Sequence, residues 1–196
     1  AGHFAVFSEQ GTSASLLAAA KFIDAIARFP GNDGSDSDAI GAYTQVPLKE
    51  LEDTEGIETW ISLPKNRRPP SWSKFKDPVC KLTRNLYGHT LAGLLWEKFC
   101  HRIIKKLGFQ PVPGWECLFV HKEKQLFLSV YVDDFKMAGP AKYKERLWAE
   151  IVGDPEHPEL GGIYMGSPEP QVRFLGCEHK LTLSLIHISE PTRPLS

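Results

Sequence analysis

The run Leu126-Phe127-Leu128-Ser129-Val130-Tyr131-Val132 is almost wholly apolar and stops abruptly at Asp133-Asp134. So short a stretch, rich in aromatic and β-branched residues, reads as a strand buried on both faces. Such a strand needs neighbours. The charged turn Lys122-Glu123-Lys124 sets residues 116–121 before it as one hairpin arm, and Phe135-Lys136-Met137-Ala138 returns after it as another. The two adjacent carboxylates then sit at the tip of a tight hairpin. Two like charges at a buried strand end disfavour each other's ionisation unless something compensates. The usual compensation is a divalent cation. A hard metal held at a strand end points to phosphoryl-transfer chemistry.

The other segments predict an α+β chain. Residues 13–29 read as a helix stopped by Pro30-Gly31, residues 32–37 as a polar turn, and Asp38 as a strand end entering a turn or short helix. Residues 49–56 read as an acidic loop and 58–63 as a short alternating strand. A Pro-rich basic loop over 64–77 carries Lys65, Arg67, Arg68, Lys74 and Lys76, and residues 79–82 can form another strand. The spacing of Leu95, Phe99, Ile103 and Leu107 predicts a helix over 91–107 capped by Gly108. A second helix is expected over 141–152 and a last strand over 172–177. Helices mixed with antiparallel hairpins favour α+β over a doubly wound fold.

Composition narrows the function classes. With 196 residues and 42% hydrophobic content, the chain can bury one real core, either as one domain or as part of a larger one. A net charge of −1 does not indicate a globally basic nucleic-acid binder, so any such surface must be local. No run of about eighteen apolar residues predicts a membrane span, and no signal peptide is visible. The four cysteines form no C-x-x-C pair, which argues against a zinc site and fits reduced, intracellular thiols. A first residue of Ala1 reads as a fragment or excised domain.

Joining nucleotides with two Mg²⁺ ions needs only a few protein carboxylates, because substrate phosphates complete the octahedra. Asp133, Asp134 and one further Asp would suffice. Asp38 is the best third candidate, although Asp36 lies close by and Asp also suits turns. Tyr43 follows at the fifth position after Asp38, where an aromatic ring can lie under an incoming sugar and exclude a 2′-hydroxyl. The plain alternatives are a solvated hairpin tip for Asp133-Asp134 and a core role for Tyr43.

At these residues the chain resembles the reverse transcriptase domain of Ty1/copia-type retrotransposons. Asp38…Ala42-Tyr43-Thr44-Gln45…Leu48 is similar to that family's Asp-Val-Lys-x-Ala-Phe-Leu-x-Gly-x-Leu motif, and Tyr131-Val132-Asp133-Asp134 to its Tyr-Val-Asp-Asp box. The segment 79–88, ending in Leu86-Tyr87-Gly88, and Trp96 resemble its Leu-Tyr-Gly…Trp stretch. Leu107-Gly108-Phe109 and Phe174-Leu175-Gly176 match shorter elements in order. A Tyr-Val-Asp-Asp tetrad alone would arise by chance roughly once per thousand chains of this length.

The resemblance implies a polymerase palm: an antiparallel sheet backed by helices, with fingers and thumb incomplete. It implies Asp38 and Asp133 bridging two Mg²⁺ ions (Mn²⁺ as a substitute), Asp134 supporting, and the Ala39 carbonyl as a further ligand. Tyr43 and Gln45 would meet the nucleotide, with Tyr43 as the sugar gate. The resemblance puts Phe174 and Gly176 at the primer strand. Separately, the charge of the basic loop lets Lys65, Arg67 and Arg68 contact template phosphates, with an ordinary solvated loop as the equal alternative. The implied partners are an RNA template, a DNA primer, dNTPs, and the integrase and RNase H regions of one polyprotein. The implied setting is intracellular: a cytoplasmic virus-like particle, the nucleus, or both, with no membrane.

Two departures stand out. Where the family reads Leu-Tyr-Gly-Leu-Lys-Gln-Ala-Pro-Arg, this chain has Leu91 at the Gln position and Leu94 at the Arg position. The Lys and Arg groups of an upstream fingers segment are not recognisable. A catalytically inactive relic with a palm fold, at most a weak nucleic-acid-binding module, is therefore the rival reading. A palm-like nucleotide cyclase is a third, without support from the Leu-Tyr-Gly…Trp stretch. Residues 183–193 resemble a translated sequencing-library adapter, so 1–182 is read as the domain fragment and 183–196 as a non-native tail.

Overall fold

The computed structural model describes residues 17–115, 117–153, 161–171, 173–174 and 177–178. Helix α1 (Leu17–Ala27) leads into β1 (Asn32–Asp38). A 3-10 turn (Ala42–Gln45), α2 (Lys49–Glu55), β2 (Trp60–Ile61) and β3 (Cys80–Lys81) follow. Then come α3 (Ala92–Lys106), β4 (Gln110–Pro111), β5 (Leu118–His121), β6 (Leu126–Tyr131), β7 (Asp134–Pro140) and α4 (Ala141–Ile151). Strands β8 (Glu169–Pro170), β9 (Arg173–Phe174) and β10 (Cys177–Glu178) are short.

Six strands form one antiparallel sheet in the order β4-β5-β6-β7-β1-β8. Residues directly opposed across such a ladder project to the same face. The rows Asp38/Asp134/Tyr131, Asp36/Lys136/Ser129 and Gly34/Ala138/Phe127 therefore share one face. Helix α1 packs on this face: Ala19, Ile23 and Ala27 cluster with Leu118 and Ala138, and Phe22 meets Phe127 edge-on at 5.0 Å. The other face carries Phe119, Leu128, Val130, Phe135 and Met137. They form the main core with Trp96, Cys100 and Ile104 of α3 and Leu147, Trp148 and Ile151 of α4. The result is a palm-like, three-layer α+β architecture.

Two local expectations are corrected. Residues 32–37, read as a polar turn, form most of β1, between β7 and β8. Asn-Asp-Gly-Ser-Asp-Ser is a poor strand sequence by itself, so tertiary pairing decides. Seven consecutive residues pair with β7, and the buried hydroxyls are satisfied: Trp148 Nε1 donates to Ser35 Oγ (2.7 Å), and Ser37 Oγ donates to the Gly166 carbonyl (2.8 Å). Residues 49–56, read as a loop, form α2. Glu50 and Glu52 lie in its first turn, where the helix dipole favours anions, and Gly56 closes it at φ 65°.

Elsewhere the elements follow the pattern with shifted ends. The strands expected over 58–63 and 79–82 shrink to a two-residue ladder, and the last strand resolves into the β9–β10 pair. The Phe174 side chain, Gly176 and the tail 183–196 lie outside the described residues.

Candidate metal centre

The register of β1 on β7 sets Asp38 directly opposite Asp134. One step further on, the Ala39 N–H donates to the Asp133 carbonyl at 2.7 Å. The two chain segments singled out in the sequence are thus locked together by main-chain pairing at the hairpin tip. Asp38 and Asp133 are exposed, whereas Asp134 is half-buried. Burial pushes the Asp134 carboxyl up to about 6; a carboxyl hydrogen bond shared with Asp38 and the charges of Asp38 and Asp133 add to the rise. The resemblance made Asp133 the bridging partner of Asp38. In this fold the side chain across from Asp38 is that of Asp134, and Asp133 contributes its carbonyl to the closure.

The tip is held in a strained backbone. Val132 sits at φ 53°, a region β-branched side chains rarely adopt. The indole of Trp96, itself buried, donates to the Val132 carbonyl at 2.5 Å. Helix α3 therefore reaches through the core to pin the turn that aims both carboxylates.

An aromatic group borders the acids. The Tyr43 phenol is raised by burial and then by Tyr87, Asp133 and Tyr131, which places all four residues in one neighbourhood. The rings of Tyr43 and Tyr87 are tilted against each other at 4.7 Å. A short antiparallel connection fixes this contact. Leu48 N–H donates to the Thr83 carbonyl (3.0 Å), Asn85 N–H to the Val46 carbonyl (2.8 Å), and Arg84 Nη1 to the Gln45 carbonyl (3.0 Å).

The remaining candidates are placed as follows. Ala39 is buried beside the tip. The Gln45 side chain is engaged with main chain: its Nε2 donates to the carbonyls of Ile40 and Tyr164, both at 2.9 Å, and its Oε1 accepts from Tyr164 N–H at 2.8 Å. It clamps the 163–166 segment beside β1, where Gly166 N–H also donates to the Asp38 carbonyl at 2.9 Å. Lys65 and Arg67 are exposed, while Arg68 is anchored on the Leu63 carbonyl and Ser62. Leu91 is buried in a small cluster with Leu48 and Leu51, against which Leu94 packs. The two departures from the family motif thus face a core.

A buried charge group one row below the acids was not foreseen from the sequence. Lys136 is fully buried, with its ammonium 2.7 Å from Asp24 on α1 and 3.6 Å from Asp36 on β1. The signal available was the Asp36 and Lys136 pair, each two residues from a candidate ligand.

The donor set suits a hard cation, since it consists of two opposed carboxylates with a third beside them. Among the described residues no group of three or more His, Cys, Asp or Glu side chains is placed to hold a metal ion by itself. Mg²⁺ needs no such group, because it keeps waters and takes one or two carboxylates plus substrate phosphates. The residues present fit the ion on that chemistry.

Residues 61–146 match the family model of reverse transcriptases, described as RNA-dependent DNA polymerases. Two Saccharomyces cerevisiae relatives are the Gag-Pol polyproteins of transposons Ty1-BR and Ty1-DR1. They are 26% and 35% identical, and each match covers 80% of this chain. Over these residues the chain is similar to the Ty1/copia-type reverse transcriptases. It spans 9% of the length of those polyproteins. A solved structure of telomerase from Candida albicans, in complex with a fragment of telomeric RNA, is similar over 83% of this chain and 32% of its own, at 11% identity and a TM-score of 0.40.

Proposed function

We propose that this chain is the palm-centred part of an RNA-directed DNA polymerase that adds dNTPs to a primer 3′ end. The observation that carries the reading is the register that opposes Asp38 to Asp134 while Asp133 closes onto Ala39. Asp38, Asp133 and Asp134 are the residues that would hold two Mg²⁺ ions, which when bound supply a more acidic primer hydroxyl and neutralise the triphosphate. The chain's own residues orient the reactants. The Trp96-pinned turn fixes the carboxylates, Tyr43 lies under the sugar and excludes a 2′-hydroxyl, and exposed Lys65 and Arg67 meet template phosphates. The Ala39 carbonyl is proposed as a further ligand, and Phe174 with Gly176 as a primer contact. Gln45 acts on the nucleotide site through the 163–166 segment it clamps.

RNA template, DNA primer and neighbouring integrase and RNase H regions are the partners this reading implies, in an intracellular particle or the nucleus. Among the described residues no helix is long and apolar enough to cross a membrane. Residues 1–182 are read as the natural domain fragment and 183–196 as an adapter-derived tail.

Primer extension on an RNA template tests the reading. The domain restored to full length should extend a DNA primer with Mg²⁺, and Asp133→Asn should lower the rate by about 100-fold or more, the order of one lost electrostatic stabiliser. Equal extension by both would sink the catalytic assignment. The second reading, an inactive relic, is favoured by the burial of Leu91 where the family carries a polar Gln. It predicts no extension by either protein.

A further inference from the structure

Tyr87 has no assigned role, yet it is 57% exposed and its ring lies against Tyr43 at 4.7 Å with planes tilted by 46°. A single exposed aromatic is ordinary on a protein surface; what sets Tyr87 apart is the contact of its ring with that of Tyr43. The backbone supplies the placement. The hydrogen bonds from Leu48 to Thr83 and from Asn85 to Val46, with Arg84 on the Gln45 carbonyl, tie the Tyr87 segment to the turn that carries Tyr43. The buried Asn85 side chain donates to the Ala92 carbonyl at 3.0 Å and accepts from Leu86 N–H at 2.9 Å, anchoring the same segment to α3. Gly88, at φ 90°, then turns the chain away directly after Tyr87. The Tyr43 ring is only half-buried, so without this neighbour its χ1 and χ2 rotations would be opposed on one side only.

We propose that Tyr87 is a positioning residue for nucleotide selection: it braces the Tyr43 ring in the orientation that rejects a 2′-hydroxyl. The proposal rests on the reading of Tyr43 as the sugar gate and adds a second residue to it. A gate discriminates only as well as it is held, because a ring free to swing yields to the larger sugar. Tyr87 acts through its ring face, so phenylalanine should replace it and alanine should not.

The test is equilibrium binding of dATP and ATP, each with Mg²⁺, to the full chain and to three variants. The wild-type chain should bind dATP more tightly than ATP, and Tyr43→Ala should remove that preference. Tyr87→Ala should reduce the preference by roughly 3- to 10-fold, the factor a tilted aromatic pair supports. Tyr87→Phe should retain it. Urea unfolding of each variant checks that the fold is kept, which the exposure of Tyr87 favours. If Tyr43→Ala loses the preference while Tyr87→Ala keeps it, the bracing role is wrong and the gate stands. If Tyr87→Phe loses as much as Tyr87→Ala, the ring is not what acts and the proposal also falls. If the wild-type chain shows no preference, the gate itself is wrong and Tyr87 falls with it.

Discussion

Val132 shows how a single residue can carry the geometry of the tip. A β-branched side chain at positive φ costs of order 1–3 kcal/mol and persists only where its surroundings over-determine it. The Trp96 indole and the packing of Val132 against the main core supply that constraint. Trp96→Phe keeps most of the buried ring and removes the donor. Urea unfolding should show a loss of about 1–2 kcal/mol, and primer extension by the restored domain should fall further than that loss explains. A variant with unchanged stability and rate would show that the indole bond does not hold the turn.

Asp36 gives the chain a pH signature of its own. Its carboxyl is raised to about 6, chiefly by burial, with Lys136 opposing the rise and Asp24 adding to it. Folding therefore favours the protonated form. Between the ordinary Asp value, about 3.9, and about 6 the folded chain binds more protons than the unfolded one, so stability falls as pH rises through that window. Asp134, also raised to about 6, acts in the same direction. Burial lowers the pKa values of His89 and His101, which act in the opposite direction over this interval. The Asp36 contribution is therefore read as a difference: on going from pH 5 to pH 7 the urea midpoint of Asp36→Asn should fall less, or rise more, than that of the unaltered chain. An identical change in both proteins would contradict the assignment.

At the scale of elements, the β6–β7 hairpin depends on one glycine at its far end. Gly139 has φ 147°, and a Cβ there would stand 2.6 Å from the Gln125 carbonyl oxygen and 2.9 Å from Leu126. The Leu126 contact is with the Cδ2 end of its side chain, which can rotate, but the Gln125 carbonyl and the Leu126 Cα, 3.1 Å away, are backbone and cannot give way without disturbing the strand pairing. Gly139→Ala should cost about 2–4 kcal/mol, read by thermal unfolding, with the loss seen first as raised amide exchange in β6 and β7. A neutral result would mean the hairpin end is more pliable than its backbone contacts imply.

The same hairpin was legible in the sequence because its pattern is local. The apolar run, the charged turn before it and the paired acids after it each state their own conformation. Helices α3 and α4 were equally plain from their periodic apolar faces. Strand β1 was not, since nothing in Asn-Asp-Gly-Ser-Asp-Ser favours an extended chain until β7 and β8 lie on either side of it. Helix α2 was missed for the opposite reason: its acidic first turn reads as a loop until the dipole it complements exists.

At the scale of the whole molecule, a net charge of −1 means that the proposed nucleic-acid affinity must come from a local surface. Lys65 and Arg67 are exposed on the basic loop, whereas Arg68 is engaged by the loop's own main chain. Each phosphate neutralised adds about 0.7–0.9 to the slope of log affinity against log salt. Replacing Lys65 and Arg67 by Ala should flatten the slope for a primed template by about 1.4–1.8, whereas Arg68→Ala should act mainly on loop order. An unchanged slope for the double variant would place the template elsewhere.

The sequence by itself determined that two carboxylates end a buried strand, that a third acid and a tyrosine stand upstream, and that the motifs follow the order of a reverse transcriptase. Those are properties of short windows, where residue type and spacing suffice. Only the tertiary structure decided that Asp134 is the residue across from Asp38, that Gln45 clamps main chain, that Lys136 is buried between Asp24 and Asp36, and that Tyr87 lies on Tyr43. Each of these depends on the register of one strand against another or on a side chain reaching between elements. A one-residue slip in β1 would turn Asp38 and Asp36 to the opposite face, away from Asp134 and Lys136, and that register is held by contacts spread across the sheet.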